Sequence, residues 1–413
     1  MTSSRAVIVL WALLALPPLL LPFSRSAELP ILLGALFGGL WVVRRRPPPP
    51  RARAAVLAMV AYTAAALVSA LDAIAPGESW QTALASIRLG LYVLGLAGLA
   101  SVVLADQAHG PAAAMRVAWV AAGGIALWTL DGLMQAATGF SLGGAAEADR
   151  LSGIFGADDL KLGPLLGALA PLLLWPLLDG ARWRLALAWM AVLIVVLLAG
   201  ARAGWVSYAL VSILLAWRLA AASPRRLLGL LAAGALLASL AAVSAYQFSE
   251  TFAARVDRTL AAGSGDLGRA LAGRDWIWAT ASAMAAEHPV NGVGVRGFRH
   301  AYAAHSAAGD PWVDPETGVG AAHAHQIVLE VLTETGGIGL LLWLLAVILL
   351  SRTARRLPTA GCIRAPYVAL AVLLFPLNTH LAFYSTFMGL VVAWLLALCA
   401  VQAVLAGEGA DGA

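Results

Sequence analysis

The chain has 413 residues, of which 61% are hydrophobic and 12% charged, with a formal net charge of +5. Soluble domains carry about 25% charged residues, and apolar runs of about 20 residues recur here from end to end, so the composition excludes an ordinary soluble domain. The positive charge sits in short loops between those runs, which bilayer topology explains and a nucleic-acid groove does not.

Taken in chain order, the hydropathy pattern predicts twelve helices: 6–23, 27–43, 54–71, 81–105, 117–138, 162–178, 185–200, 203–221, 227–245, 327–350, 364–378 and 381–405. The first run lacks a small-residue cleavage site and reads as a retained helix rather than a signal peptide. Pro17, Pro18, Pro30, Pro164, Pro171 and Pro176 fall within or near spans, which packed bundles tolerate. The expected fold is all-α and polytopic, about 12 transmembrane helices with one large, partly helical outer loop. The expected organisation is nine helices in 1–245, a loop with short helices in 246–326 and three helices in 327–413, as a single integrated domain. The two cysteines, Cys362 and Cys399, lie at or inside late apolar runs, with no metal-ligand spacing and no disulfide expected.

Loop charge predicts the orientation. Six segments on one side of the membrane hold 16 of the 27 basic residues: Arg5, the Arg44–Arg53 stretch, Arg116, the Arg182 pair, the Arg218–Arg226 group and the Arg352–Arg364 group. The opposite short loops hold Arg25, Arg150, Lys161 and Arg202. The positive-inside rule puts the arginine-rich side in the cytoplasm, with both termini. The 246–326 insert then faces outward, into the periplasm of a Gram-negative cell. Arg44–Arg53 contains four consecutive prolines and reads as a stiff connector with an affinity for anionic lipid.

Within the insert, Arg274–His288 reads as an amphipathic helix, with Trp276, Ile277, Thr280, Ala281 and Met284 near helical spacing and Pro289 as its stop. Trp276 and Trp278 suit a helix lying at the lipid headgroups. Gly292-Val293-Gly294-Val295-Arg296-Gly297 matches G-x-G-x-x-G literally, but it follows a helix and a proline instead of a strand. A tight backbone turn is the better reading, and no dinucleotide is expected.

Several ionisable residues sit where a bilayer makes them expensive. Arg88 falls inside the fourth predicted span, where insertion costs about 2.5–3.5 kcal/mol, so it needs a cavity or a partner such as Asp131. Arg202 lies among small residues between two predicted spans on the outer side. Arg274 opens the outer helix, where a cation opposes the helix dipole and favours an anionic partner. His325 opens the tenth predicted span, and His323, two residues away, would face elsewhere on a helix. His380 and Tyr384, near the last outer turn, are candidate cavity-lining groups, as are Arg88, Arg150 and His323. Outward-facing guanidinium groups at a bilayer surface fit a lipid-linked phosphate or diphosphate, because their planar fork grips phosphate oxygens in pairs. A histidine near neutrality can act as general base. His323-x-His325 alone is weak as a metal motif, and no metal is expected.

Three blocks resemble the O-antigen ligase and polymerase superfamily of bacterial envelope enzymes. They are Ala201-Arg202-Ala203-Gly204-Trp205; Gly273-Arg274-Asp275-Trp276-Ile277-Trp278 running on to Glu287-His288-Pro289-Val290-Asn291-Gly292-Val293-Gly294; and His323-Ala324-His325-Gln326 through Glu334-Thr335-Gly336-Gly337-Ile338-Gly339-Leu340. Arg150-Leu151-Ser152-Gly153 is a weaker likeness. Gln326 stands where the family usually has asparagine, and Ala201 where it has serine. The resemblance implies an inner-membrane glycosyltransferase that uses neither metal nor any other cofactor. Its donor would be an undecaprenyl-diphosphate-linked glycan and its acceptor the lipid A-core oligosaccharide, joined at the periplasmic face in lipopolysaccharide biosynthesis. By matching position, Arg202 and Arg274 would hold the diphosphate and His325 would be the base of an inverting attack. The alternatives are an O-antigen polymerase, a protein O-oligosaccharyltransferase and, from another class, an anionic-lipid flippase or channel. A transporter should show a polar route through both leaflets, whereas the unusual charges here cluster on the outer side.

Overall fold

A computed structural model describes residues 3–104, 110–145, 150–157, 159–248, 252–253, 256–257, 260, 273–379 and 381–406. The apolar runs fold as helices because a segment that leaves water must satisfy its backbone amides internally. In chain order they are α1 (Ser3–Leu20), α2 (Glu28–Val43), α3 (Arg53–Ala70), α4 (Pro76–Leu104), α5 (Gly110–Thr138), α6 (Leu162–Leu169), α7 (Pro171–Leu174), α8 (Arg182–Leu198), α9 (Arg202–Ala220) and α10 (Pro224–Phe248). There follow α11 (Arg274–Glu287), α12 (Phe298–His305), α13 (Ile327–Arg356), α14 (Gly361–Leu373) and α15 (Thr386–Leu405). Among the described residues the β-structure is a single hairpin, Phe140–Ser141 paired antiparallel with Gly144–Ala145.

Nine helices among the described residues are long and apolar enough to cross a membrane, and the chain is an all-α polytopic membrane protein. The other three predicted runs are also helical but shorter: Leu162–Leu177, the 17-residue α8 and the 13-residue α14. The predicted 364–378 span stops early because Pro376 follows closely, and α15 starts afresh at Ser385, whose side chain accepts the Met388 amide.

Two compact units are distinguished. The first comprises Met1–Val120, Leu271–Tyr367 and Thr379–Ala413. Its α15 is buried along its whole length and packs on α4, α3 and α1. Close helix crossing here depends on small residues: a Cβ on Gly38 of α2 would collide with the Leu91 carbonyl of α4, and one on Gly95 with the Gly34 carbonyl. The second comprises Ala121–Ala270 and Val368–Asn378. There α6 and α9 meet backbone to backbone, so that a Cβ on Gly204 would lie 2.6 Å from the Gly163 carbonyl oxygen. Beside them α8, α9 and α10 enclose an apolar cavity of about 670 Å³, lined by Trp189, Leu193, Trp205, Tyr208 and Leu237 among others.

The feature that positions the 273–326 segment is a break in α13. Gly336 has φ +63° and ψ −167°, which interrupts the helix inside an otherwise continuous run. The freed Thr333 and Glu334 carbonyls accept the Val293 and Gly294 amides at 2.8 and 3.1 Å. The freed Gly337 and Ile338 amides donate to the Pro289 and Val290 carbonyls at 2.8 and 3.2 Å. The Pro289–Gly294 segment is thus spliced into the gap, which re-satisfies these four backbone groups. Gly292 and Gly336 are needed because side chains there would strike the opposing backbone. The G-x-G-x-x-G string is therefore a splice, in keeping with the turn expected from sequence.

Candidate active site

The 273–326 segment of the first unit is built around α11 and α12. The expected helix is present, and four of the five residues of its expected face, Ile277, Thr280, Ala281 and Met284, are buried, while the fifth, Trp276, is not. Ile277, Ala281 and Met284 pack with Val293, Phe298, Ala301, Tyr302, Ala321 and Ala324 in one apolar cluster. Trp276 is exposed, whereas Trp278 turns inward and donates from Nε1 to the Ala324 carbonyl at 3.1 Å. That bond fixes the histidine segment against α11. A second one, from Trp312 Nε1 to the Gly273 carbonyl at 2.9 Å, pins the residue before Arg274.

His323 and His325 precede α13 on non-helical backbone, and their ring centroids lie 3.8 Å apart. The expectation that they face different ways assumed a helix already begun. Instead Gln326 is the N-cap, its side chain accepting the Leu329 amide at 2.6 Å. His325 is held at φ +55°, a left-handed conformation uncommon for a non-glycine residue and frequent at functional sites. The His325 amide donates to His323 Nδ1 at 3.2 Å, and Glu330 Oε2 lies 3.3 Å from the same nitrogen. One nitrogen cannot accept from the amide and donate to a carboxylate at once. The amide contact matches a donor to an acceptor, so Nδ1 is the acceptor and the His323 proton belongs on Nε2. Burial, then the positive charges of Arg296, Arg274 and Arg299, push the His323 pKa down to about 4. The charges of three guanidinium groups therefore act on His323.

Two carboxylates complete the setting, and the sequence reading gave them no role. Glu330 and Glu334 are both buried, one helical turn apart on α13. Glu330 Oε1 accepts the Phe383 amide at 2.6 Å, and Glu334 Oε2 accepts the Arg296 amide at 2.9 Å. Arg296 is itself at φ +66°. Tyr384 is buried nearby in sequence, its hydroxyl 3.2 Å from Thr335 Oγ1 and its ring 5.1 Å from that of Tyr62. Two acids four apart at the head of an apolar run were the available signal, since such charges face a partner or a cavity. Arg296 and Arg299 gave no signal beyond the glycine string around them.

The remaining candidates fall elsewhere. Arg88 donates to Glu28 at 3.1 Å and to the Ala85 carbonyl at 2.6 Å. The suspected Asp131 contact is replaced, for Asp131 Oδ1 instead accepts the Leu142 amide at 2.7 Å. Arg150 is half-buried in the second unit, beside Ser152 and Gly153, whose amides donate to Gln135 Oε1 at 3.0 and 2.8 Å. Arg202 opens α9 in the same unit, after Gly200 at φ +67°. Next to it, Asn378 Nδ2 donates to the Ala203 carbonyl and to Ser207 Oγ, both at 2.9 Å. His380 lies outside the described residues.

These blocks can be compared with known proteins. Residues 185–344 match the O-antigen ligase family. The matched segment is under half of the 413-residue chain, yet it contains all three blocks on which the resemblance rested, and it bears that resemblance out. It includes Arg202, Arg274, His323, His325, Glu330 and Glu334, and leaves Arg88, Arg150 and Tyr384 outside. No curated protein matches the chain. The family match supports an activity of the O-antigen ligase or polymerase type, acting on lipid-linked glycans at a bilayer.

Proposed function

We propose that the chain is an O-antigen ligase, transferring a glycan from undecaprenyl diphosphate to the lipid A-core oligosaccharide at the periplasmic face of the inner membrane. The observation that carries this reading is the strained, half-buried His325, its ring 3.8 Å from that of a neutral His323 on which the charges of Arg296, Arg274 and Arg299 act, immediately before an apolar helix. An imidazole there can take a proton from an acceptor hydroxyl, while guanidinium groups favour a dianionic leaving group. Arg274 binds the diphosphate on this reading, and Arg202 is assigned the same role from the sequence block that it heads. His325 removes the proton as the acceptor oxygen attacks the anomeric carbon. The bond to the diphosphate breaks on the opposite face, so the configuration inverts. Guanidinium charge substitutes for a metal at the leaving group.

The decisive experiment offers purified protein a lipid-linked glycan donor with three acceptors in parallel: lipid A-core, a second lipid-linked glycan and a serine-rich protein. Extension of lipid A-core is the expected result. Extension of either of the others would replace this reading with a polymerase or a protein glycosyltransferase. His325→Ala should abolish transfer while the protein still inserts in the membrane, and full activity in that variant would remove the base. Arg274→Lys should recover little of what Arg274→Ala loses, because an ammonium lacks the fork.

A further inference from the structure

We propose that Glu287, His288 and His305 form a binding site for a divalent transition metal of the zinc class, clamping the ends of α11 and α12 together. One potential ligand atom from each of the three residues falls within 4.8 Å of the other two. The donor set is two imidazoles and a carboxylate, which suits zinc and its neighbours and is poor for the oxygen-seeking magnesium and calcium.

His305 is the central observation. Its Nδ1 lies 2.8 Å from the Ala301 carbonyl one turn earlier, so the ring donates there and Nε2 is the nitrogen left to bind an ion on loss of any proton it holds. Metal-binding histidines are held in this way, the second nitrogen orienting the ring through a backbone carbonyl. The His305 side chain is 8% exposed, and its buried Nε2 has no hydrogen-bond partner. Glu287 Oε2 approaches that nitrogen to 3.1 Å without hydrogen-bond geometry. Two ligands of a tetrahedral zinc with bonds near 2.0–2.1 Å lie about 3.3 Å apart, so this spacing is that of two corners around an ion. The His288 ring lies 5.9 Å from the His305 ring at an interplanar angle of 64°, and modest rotation of two partly exposed side chains, His288 and Glu287, closes the set.

The backbone favours a cation here as well. Glu287 is the last residue of α11, His288 follows it as the C-cap, and His305 is the last residue of α12. Two helix C-termini therefore converge, and their terminal carbonyls carry partial negative charge. The apolar cluster joining the two helices sets this approach before any ion arrives, so little ordering is left to do on binding. Water completes the coordination on the side where Glu287 is exposed. The ion's role is to hold the outer segment, not to act on a leaving group. Sequence spacing concealed the site because the two histidines are 17 positions apart and meet only through the turn at 289–297.

The test uses the full-length protein in detergent with any histidine tag removed, stripped by chelator and then exposed to zinc or cobalt(II). After desalting, the wild type should retain one zinc per chain, and its cobalt form should show the visible absorption of a low-symmetry four- or five-coordinate ion. His305→Ala and His288→Ala should lose the equivalent, and Glu287→Gln should weaken it by about tenfold or more. Magnesium in excess should not displace zinc. If His305→Ala fails to fold, His305→Gln and His288→Asn provide the same comparison. Wild type that retains no zinc, or histidine variants that retain the full equivalent, would overturn the site and leave a Glu287–His305 ion pair in its place.

Discussion

His323 is buried among guanidinium groups, and both facts favour the neutral ring. Its pKa falls from the ordinary 6.5 to about 4, so between these values the unfolded chain holds a proton that the folded chain does not. Stability is therefore full above about pH 6.5 and declines as the pH falls toward 4, where the loss levels off. Thermal unfolding followed by tryptophan fluorescence should show this slope, and His323→Gln should flatten it; an unchanged slope in the variant would mean that other groups govern the acid limb. Glu330 belongs to the same scale. Its carboxylate accepts the Phe383 amide at 2.6 Å in a buried setting, so Glu330→Ala should destabilise by about 1–3 kcal/mol through the orphaned donor, measured by denaturant titration. Of these residues His325 was legible from sequence as a costly group at a bilayer border. The His323 contact was not, because its placement depends on where the helix starts, and the N-cap at Gln326 decides that. Glu330 and Glu334 stood in plain view, but their partners come from Phe383 and Arg296, more than thirty positions away.

At the scale of elements, α13 is two helical pieces joined through a break, and the break is what admits the Pro289–Gly294 segment. Sequence reading located α11 closely, because its apolar period and Pro289 are local signals. It missed the break, since Gly336 and Gly337 look like ordinary small residues at a helix head until a second segment supplies hydrogen bonds across them. It also missed α12, which is short and has no net apolar character to mark it. The splice makes a sharp prediction. Gly336→Ala forces a side chain onto φ +63° and into the Val290 carbonyl, so it should cost at least about 1–3 kcal/mol and loosen the histidine segment. Gly229→Ala in α10 meets nothing within 4 Å and should be neutral or raise stability by roughly 0.5–1 kcal/mol. Comparable losses in the two variants would show that the splice is not a special site.

At the scale of the whole molecule, the periodic apolar runs made the fold class legible: the runs expected at 162–178 and 185–200 are observed at Leu162–Leu177 and Arg182–Leu198, whereas the one expected at 364–378 is helical over Gly361–Leu373. Orientation is a separate matter, because helices look alike from either leaflet and only loop charge breaks the symmetry. The arginine-rich connector and the segment bearing α12 are predicted to lie on opposite sides. Cys362 and Cys399 are both buried, so an introduced cysteine reports with little background. Arg44→Cys and Glu316→Cys place thiols at exposed positions on the two segments. In intact spheroplasts a membrane-impermeant maleimide should label Glu316→Cys and spare Arg44→Cys, and inverted vesicles should reverse the pattern. Labelling of Arg44→Cys from outside would place His325 and Arg274 on the cytoplasmic side, where an undecaprenyl-linked glycan destined for the periplasmic leaflet cannot meet them.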